Sequence, residues 1–403
     1  MYDAIVVGAR CAGAAAAMLL ARKGYRVLLL DRATFPADIP HGHFVHRGGP
    51  ARLARWGLLD RVLATGCPGL TTYTSDYGDY RLVARDVAAD GVPFACAPRR
   101  AALDAVLARA AAEAGAELRQ GFVVDGYTRA GDRVTGIRGR ALAGGGVWAE
   151  SATITIGADG RNSRLARAVE APAYEDTPPL SCWYFSYWSG VAADGLEVHV
   201  LGDRAIFAFP TNDDLFCVMV DWPAAHLPHV RADVERELMG VVDRVPDLSD
   251  RVRAGRREER SYGATDLPNF LRRPWGPGWA LVGDAGCHKD PFLALGICDA
   301  FRDAELLADA LDDAFAGRRP LHEALADYHR LRDEATLTDY RRNLHFARFL
   351  PPPPEFLALR AAVRGDPGAM RRLCLMTEGL LSREEFLTEG MRQRLSAAAP
   401  ARP

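Results

Sequence analysis

The chain has 403 residues, 49% hydrophobic and 25% charged, with a formal net charge of -2 at pH 7. That length can bury one large core or two medium ones, and the near-balance of 50 basic and 52 acidic side chains argues against a nucleic-acid partner. No apolar run reaches the ~18 residues of a membrane span, so stable membrane insertion is not expected.

Residues 3–8, DAIVVG, form a β-branched run stopped by glycine, the pattern of a buried parallel strand. Residues 12–23 are rich in Ala and Leu and predict a closely packing helix. Gly24 ends it, and YRVLLLD (25–31) supplies the second strand of a βαβ unit. A loop is expected over 36–50, then helices over 51–64 and 100–114. Strands are expected near 121–128, 133–141, 147–149 and 152–157, with the glycine clusters as hairpin turns. From 181 the period changes: SCWYFSYWSG, LEVHVLG, RAIFAFP and LFCVMVDW read as strands of an antiparallel sheet. GWALVGDAG (278–286) resembles a buried strand entering a second glycine turn. Helices follow over 300–315 and 321–342, FLPPPPEF (349–356) breaks the pattern, 357–395 forms short helices, and the tail SAAAPARP is expected to be loose. The expected fold class is α/β. A discontinuous Rossmann-type domain takes 1–173 and 271–345, an antiparallel-sheet substrate domain is inserted at 174–270, and 346–403 is a C-terminal helical segment.

Three segments carry chemistry. The first turn, Gly8-Ala9-Arg10-Cys11-Ala12-Gly13, has two of the three glycines of a dinucleotide turn. Gly8 can make the tight bend and Gly13 can permit close helix–strand packing, with helix N–H groups offered to phosphate. Arg10 stands where glycine is usual; it can place a cation beside a pyrophosphate or pair with an acid. Asp31, at the end of the second strand, can accept ribose hydroxyls. The second segment, GADGRNSRLARAV (157–169), joins strand to helix through Asp159-Gly160. The third, GDAGCHKDPFLALGICDAF (283–301), places Asp284 where it can bind a sugar-like hydroxyl chain, Pro291 in an extended turn, and Gly296 at a helix start.

The ordered trio GxRxxG…D (8–31), GADGxxS (157–163) and GDAG…P…LG (283–296) resembles the FAD-dependent monooxygenase superfamily, which includes p-hydroxybenzoate-hydroxylase-like aromatic hydroxylases and geranylgeranyl reductases. It looks closer to the geranylgeranyl-reductase-like branch, where Arg in the first loop is familiar. The resemblance implies that Gly8, Arg10, Ala12 and Gly13 line the FAD pyrophosphate and that Asp31 with Arg32 holds the adenosine ribose end. It further implies that Arg47 or one of its neighbours reaches pyrophosphate, that Arg100 lies beside the ribityl chain, and that Val124 contacts adenine through its backbone. Asp159 serves FAD organisation and nicotinamide-donor binding in such families; Asp284 would bind ribityl hydroxyls; Pro291, Leu295, Gly296 and Ile297 would border the isoalloxazine. The negative N1–O2 edge of a reduced flavin suits a helix N-terminus. No second GxGxxG follows residue 150, which speaks against a separate NADPH domain. No WxWxIP segment occurs in the first 250 residues, which speaks against a halogenase.

The implied reaction is hydroxylation or epoxidation of a medium-sized apolar or aromatic metabolite through a flavin C4a-hydroperoxide. Molecular oxygen is the co-substrate, and electrons come from NADPH, NADH or a separate flavin reductase. The alternatives are reduction or desaturation of a carbon–carbon bond, and a non-catalytic flavin-binding protein. The stretch 183–222 supplies Trp183, Tyr184, Phe185, Tyr187, Trp188, Phe207, Phe209, Phe216 and Trp222. Strand alternation means that either the odd or the even set lines a cavity while the other packs behind the sheet. Phe209 is the preferred flavin-facing residue. Among HGHFVH (41–46), His43 is the first active-site candidate and His288 the second. Asp290 can transfer a proton, cap a helix or pair with Lys289. The eight cysteines form no CxxC pair and no metal site is expected; reduced thiols and a cytoplasmic location fit this composition.

Overall fold

The computed structural model describes residues 1–39, 41–85 and 87–398, and the chain divides into two compact units. The first takes residues 1–43, 99–178 and 267–342; the second takes 44–98, 179–266 and 343–403.

In the first unit, strand β1 (Tyr2–Val7), helix α1 (Cys11–Arg22) and strand β2 (Val27–Leu30) form the N-terminal βαβ motif. β1 lies between two parallel neighbours, with Val6 opposite Leu29 of β2 and Ile156 of the strand Trp148–Gly157. The strand Trp279–Leu281 pairs parallel outside Trp148–Gly157, and Glu117–Arg119 pairs parallel outside β2. β1 and β2, at the centre of the sheet, carry the buried apolar runs AIVV and VLLL expected of parallel strands covered by helices. α1 packs on the helices Arg100–Glu113 and Gly296–Phe315. Its Ala14, Ala15, Ala16 and Ala17 are fully buried, and the small side chains let the helix axes come close.

Strands Phe122–Ala130 and Arg133–Ala141 form an antiparallel hairpin, and the second pairs with the first half of Trp148–Gly157. The two strands expected near 147–149 and 152–157 are thus one, which begins at Trp148. Phe122, Val124 and Ile137 join Ile5, Val7, Leu28 and Leu30 in one apolar cluster. A small sheet of Ala173–Thr177, Asn269–Arg272 and Cys287–His288 completes the unit.

The second unit is built on an antiparallel meander of Ser181–Ser189, Phe216–Pro223, Ala205–Pro210 and Gly195–Val200. The sheet continues through Thr72–Asp76, parallel to Gly195–Val200, and Arg81–Arg85. Helices Leu227–Ala232, Val234–Val242 and Pro246–Ala254 pack on the even-numbered side chains: Tyr184, Trp188, Ile206, Ala208, Phe216, Val218, Val220 and Trp222 share a cluster with Leu238, Val242, Leu248 and Val252. Trp183, Phe185, Tyr187, Phe207 and Phe209 therefore occupy the opposite face. The expected helix over 51–64 is two, Gly48–Arg55 and Leu59–Leu63, separated at Gly57. After the prolines, helices begin at Pro354, Pro367, Arg383 and Glu389; the last reaches Ala398, and 399–403 lie outside the described residues. Among the described residues no helix is long and apolar enough to cross a membrane.

Candidate active site

Three adjacent parallel strands in the order Trp279–Leu281, Trp148–Gly157 and β1 deliver the three glycine turns to one edge of the first unit's sheet. The carboxyl edge is where open α/β sheets bind nucleotides. The turns touch. A methyl placed on Gly8 (φ +105°) would lie 2.3 Å from the Ala158 carbonyl oxygen, and one on Gly283 would lie 2.7 Å from the Ala12 Cβ. A methyl on Gly13 would sit 1.8 Å from the Gly8 carbonyl oxygen, so α1 can start this close to the turn only because residue 13 has no side chain.

The first backbone bond into α1 runs from the Ala14 N–H to the Arg10 carbonyl, and among the described residues the N–H groups of Cys11, Ala12 and Gly13 have no backbone acceptor. Such an end attracts an anion. Asp31 accepts the Ala9 N–H at 2.7 Å on Oδ2 and the Ala33 N–H at 2.8 Å on Oδ1, which leaves each oxygen a further lone pair; Arg32 beside it is exposed. Arg10 takes the second of its two expected roles. Its NH1 donates to Asp104 at 2.6 Å and to the Ala37 carbonyl at 3.3 Å. Arg100 grips the same carboxylate through Nε and NH2.

Asp159 accepts the Arg164 N–H at 2.7 Å on Oδ2, while its buried Oδ1 has no hydrogen bond among the described residues. Burial pushes this carboxyl above its ordinary range. The buried Arg161 Nε also lacks a partner. Ser163 caps the helix Arg164–Ala168, and the Val124 carbonyl accepts Arg164 NH1 at 2.9 Å. Asp284 is exposed and makes no hydrogen bond or ion pair among the described residues.

After the third turn, Asp290 caps the short 3-10 turn Pro291–Leu293, accepting the Phe292 N–H at 3.0 Å, and its own N–H reaches Asn269 Oδ1 at 2.6 Å. Lys289 pairs with Asp299 rather than with Asp290, and Arg302 NH1 donates to the other Asp299 oxygen at 2.8 Å. Burial opposes that carboxylate's charge, but Arg302 and Lys289 outweigh it and hold Asp299 below its ordinary range. Leu295 and Ile297 are buried at the start of Gly296–Phe315, Pro291 is half-buried, and a Cβ added to the exposed Gly296 would meet open space.

Two of the expected residues are engaged within the protein. Arg47 is 1% exposed, its NH1 contacts Glu378, its backbone N–H donates to the same carboxylate at 3.2 Å, and its Nε donates to the Val87 carbonyl at 2.8 Å. A buried arginine must be neutralised, and Glu378 does so inside the second unit. His288 is 5% exposed, and its Nδ1 donates to the Pro268 carbonyl, so the ring acts first as a brace between strands. His43 is likewise buried, at 1% exposure. Its neighbour His41 is the imidazole in the electrostatic surroundings of the site. Burial first, then Arg100, holds it down to about 4 despite Asp284, and Arg161 and His288 add to the effect.

The structure also brings forward residues that the motif reading passed over. Asp104 follows Arg100 at i+4, a spacing visible in RAALD, but only the fold shows that Arg10 reaches the same carboxylate. Asn269 and Glu378 carry no local signal, because their partners are distant in sequence. The expected cofactor-binding residues lie in the first unit except Arg47, and His43, His288 and Asp290 lie there too, whereas Phe209 and the other aromatic residues of 183–222 belong to the second. Phe209, 2% exposed, stands in a cross-strand row with Cys217 and Tyr187, its ring 5.6 Å from Phe44. Among the described residues no group of three His, Cys, Asp or Glu side chains is placed to hold a metal ion.

The parallel sheet, the three touching turns and the unfilled donors and acceptors around them fit FAD: α1 offers N–H groups to pyrophosphate, while Asp31 and Asp284 offer acceptors to sugar hydroxyls. These features define an FAD-dependent oxidoreductase with a p-hydroxybenzoate-hydroxylase-like fold. The family model described as FAD binding domain matches residues 1–337, and the chain belongs to that family. It is 26% identical over 340 residues to 6-methylpretetramide 4-monooxygenase of Streptomyces rimosus, covering 81% of this chain and 78% of that one. It is also 26% identical over 361 residues to digeranylgeranylglycerophospholipid reductase of Methanothrix thermoacetophila, covering 86% of this chain and 87% of that one. Among solved structures, the flavin-dependent brominase Bmp2 superposes with a TM-score of 0.81 at 18% identity, covering 98% of both chains.

Proposed function

We propose that the protein is an FAD-dependent monooxygenase that inserts one oxygen atom into a medium-sized apolar or aromatic metabolite, drawing electrons from NADPH, NADH or a separate flavin reductase. The observation that carries this reading is the odd-numbered face of the second unit's sheet. Phe185, Met219 and Phe207 stand in one cross-strand row, Tyr187, Cys217 and Phe209 in the next, and Trp183 lies 5.0 Å from Phe207. Helices pack on the even face, and on the other face these odd-numbered side chains form a buried, predominantly aromatic surface of the kind that suits an apolar ligand. Bound FAD would supply the redox chemistry. Around it, the α1 N-terminus and Arg10 would meet the pyrophosphate, Asp31 and Asp284 would hold hydroxyls, and the start of Gly296–Phe315 would face the flavin ring edge. His43, His288, Asp290 and Phe209 remain the side chains to examine for substrate contact, with Asp290 acting first as a cap. Residues 174–270 are proposed as the substrate-facing insertion.

A second reading, reduction of a carbon–carbon bond as in the geranylgeranyl-reductase-like branch, is supported by the arginine in the first turn and by the likeness to the digeranylgeranylglycerophospholipid reductase. Halogenation is the less favoured course, since the WxWxIP segment is missing. The test is an anaerobically reduced, FAD-loaded enzyme mixed with a panel of phenolic and polyene probes, then pulsed with labelled oxygen with and without bromide. Label entering one product atom is expected. Probe reduction before the oxygen pulse overturns the reading in favour of the reductase, and a brominated product overturns it in favour of the halogenase.

A further inference from the structure

One carboxylate holds two residues of the first glycine turn, Arg10 and Cys11, together with Arg100 of its own helix. Asp104, fully buried on the helix Arg100–Glu113, has Arg10 NH1 2.6 Å from Oδ2 and Arg100 NH2 3.1 Å from each oxygen. The Cys11 Sγ lies 3.4 Å from Oδ1. Arg10 is the N-cap of α1 and Cys11 its first residue, so the anion sits against the helix end whose N–H groups lack backbone acceptors. The Arg10 guanidinium also lies 5.5 Å over the Phe35 ring, which joins the loop after β2 to the same point. Burial raises the Cys11 thiol to about 12, so it stays protonated and can donate to Asp104. After these bonds are counted, Arg10 Nε and NH2 and Arg100 NH1 make no hydrogen bond among the described residues. The Arg10 side chain keeps 24% of its surface exposed and that of Arg100 11%.

We propose that Asp104 is a positioning residue for a diphosphate-bearing flavin: it fixes Arg10 and Arg100 so that their remaining N–H groups converge with the α1 N-terminus on one anionic group. The proposal rests on the FAD reading above. It explains why arginine is tolerated where a dinucleotide turn usually has glycine, because the side chain is drawn away from the turn onto the neighbouring helix. It also makes a prediction about sign. If Asp104 only diluted the positive charge of two arginines, then Asp104→Asn would raise the local charge by one and tighten an anionic ligand. If Asp104 positions the arginines, the same substitution frees two long side chains and weakens the ligand.

The experiment titrates apoprotein with FAD, and separately with riboflavin, which carries no phosphate, by quenching of flavin fluorescence. Asp104→Asn is expected to weaken FAD about 10- to 100-fold and to leave riboflavin affinity within about twofold. Arg10→Ala is expected to weaken FAD about 10-fold, and the double variant to be little worse than Asp104→Asn alone, because Asp104 acts partly through Arg10. Asp104→Glu should recover part of the loss. FAD binding by Asp104→Asn that is unchanged or tighter overturns the proposal, as does loss of FAD and riboflavin in equal proportion. If Asp104→Asn does not fold, Arg10→Ala, which alters a part-exposed side chain, decides alone: FAD affinity equal to wild type refutes the proposal. Wild-type protein that binds no FAD would instead refute the cofactor reading.

Discussion

Gly13→Ala is the sharpest test of how α1 meets the first turn. The added methyl would lie 1.8 Å from the Gly8 carbonyl oxygen and 2.8 Å from the Ala158 Cβ, where ordinary contact begins at 3.4 Å. The turn or the helix start must therefore move by about 1.6 Å, the difference between 3.4 and 1.8. Neither yields easily: the Gly8 N–H is bonded to the Leu30 carbonyl at 2.7 Å, and α1 is buried along Ala14–Ala17. Overpacking between rigid backbones belongs at the top of the usual range, about 3 kcal/mol, partly offset by the roughly 1 kcal/mol that Ala gains over Gly in a helix. For a chain of 403 residues a net loss of about 2 kcal/mol corresponds to a fall in Tm of roughly 2–3 °C. A displacement above 1 Å at the N–H groups facing pyrophosphate should cost about 100-fold in FAD affinity. Thermal unfolding of the apoprotein and flavin fluorescence titration measure the two effects. Wild-type Tm together with wild-type FAD affinity would show that residue 13 does not pack against the turn as described.

Gly296→Ala should behave differently: its methyl meets open space in the protein, so apoprotein stability should hold or rise by up to about 1 kcal/mol while FAD affinity falls; equal FAD affinity would place the flavin away from this helix start. Glu378→Gln removes the charge facing Arg47, and breaking such a buried pair should cost about 3–5 kcal/mol by urea unfolding at pH 7. Burial opposes ionisation of Glu378, but His46 and Arg47 outweigh it and depress its affinity for a proton. Its contribution is therefore present above the ordinary carboxylate range and lost as pH falls through the lower folded value, so wild type and variant should converge in acid; a constant gap down to pH 3 would refute the pairing. His41 is held near 4 by burial and Arg100, so the unfolded chain binds the extra proton between about pH 4 and 6.5 and stability rises with pH across that window. Relative to His41→Gln, the wild type should lose roughly 1–2 kcal/mol on going from pH 7 to 4.5, allowing for solvent screening of a part-exposed ring; parallel stability curves would contradict this environment.

How much could be read in advance depended on how local the controlling interactions were. The helix over 100–114, the strand over 133–141 and the start of Gly296–Phe315 were legible, because periodicity and glycine punctuation act within a few residues. The strands Thr72–Asp76 and Arg81–Arg85 were not anticipated: the first finds its partner more than 120 residues later, where Glu197 stands opposite Thr74. The three helices between 227 and 254 are likewise not legible in the sequence, although they determine which set of aromatic side chains packs beneath them.

The amino-acid order alone determined that glycine-and-acid turns would follow apolar strands, since the small residues, carboxylates and β-branched runs that build them are neighbours in the chain. Only the tertiary structure decided what the long side chains do. Arg10 and Arg100 meet on Asp104, Arg47 disappears onto Glu378, and the odd aromatic residues keep their own face of the sheet. Each outcome depends on a partner brought near by chain folding, and an arginine's reach of several ångströms lets the nearest buried carboxylate, rather than the nearest motif, claim its charge.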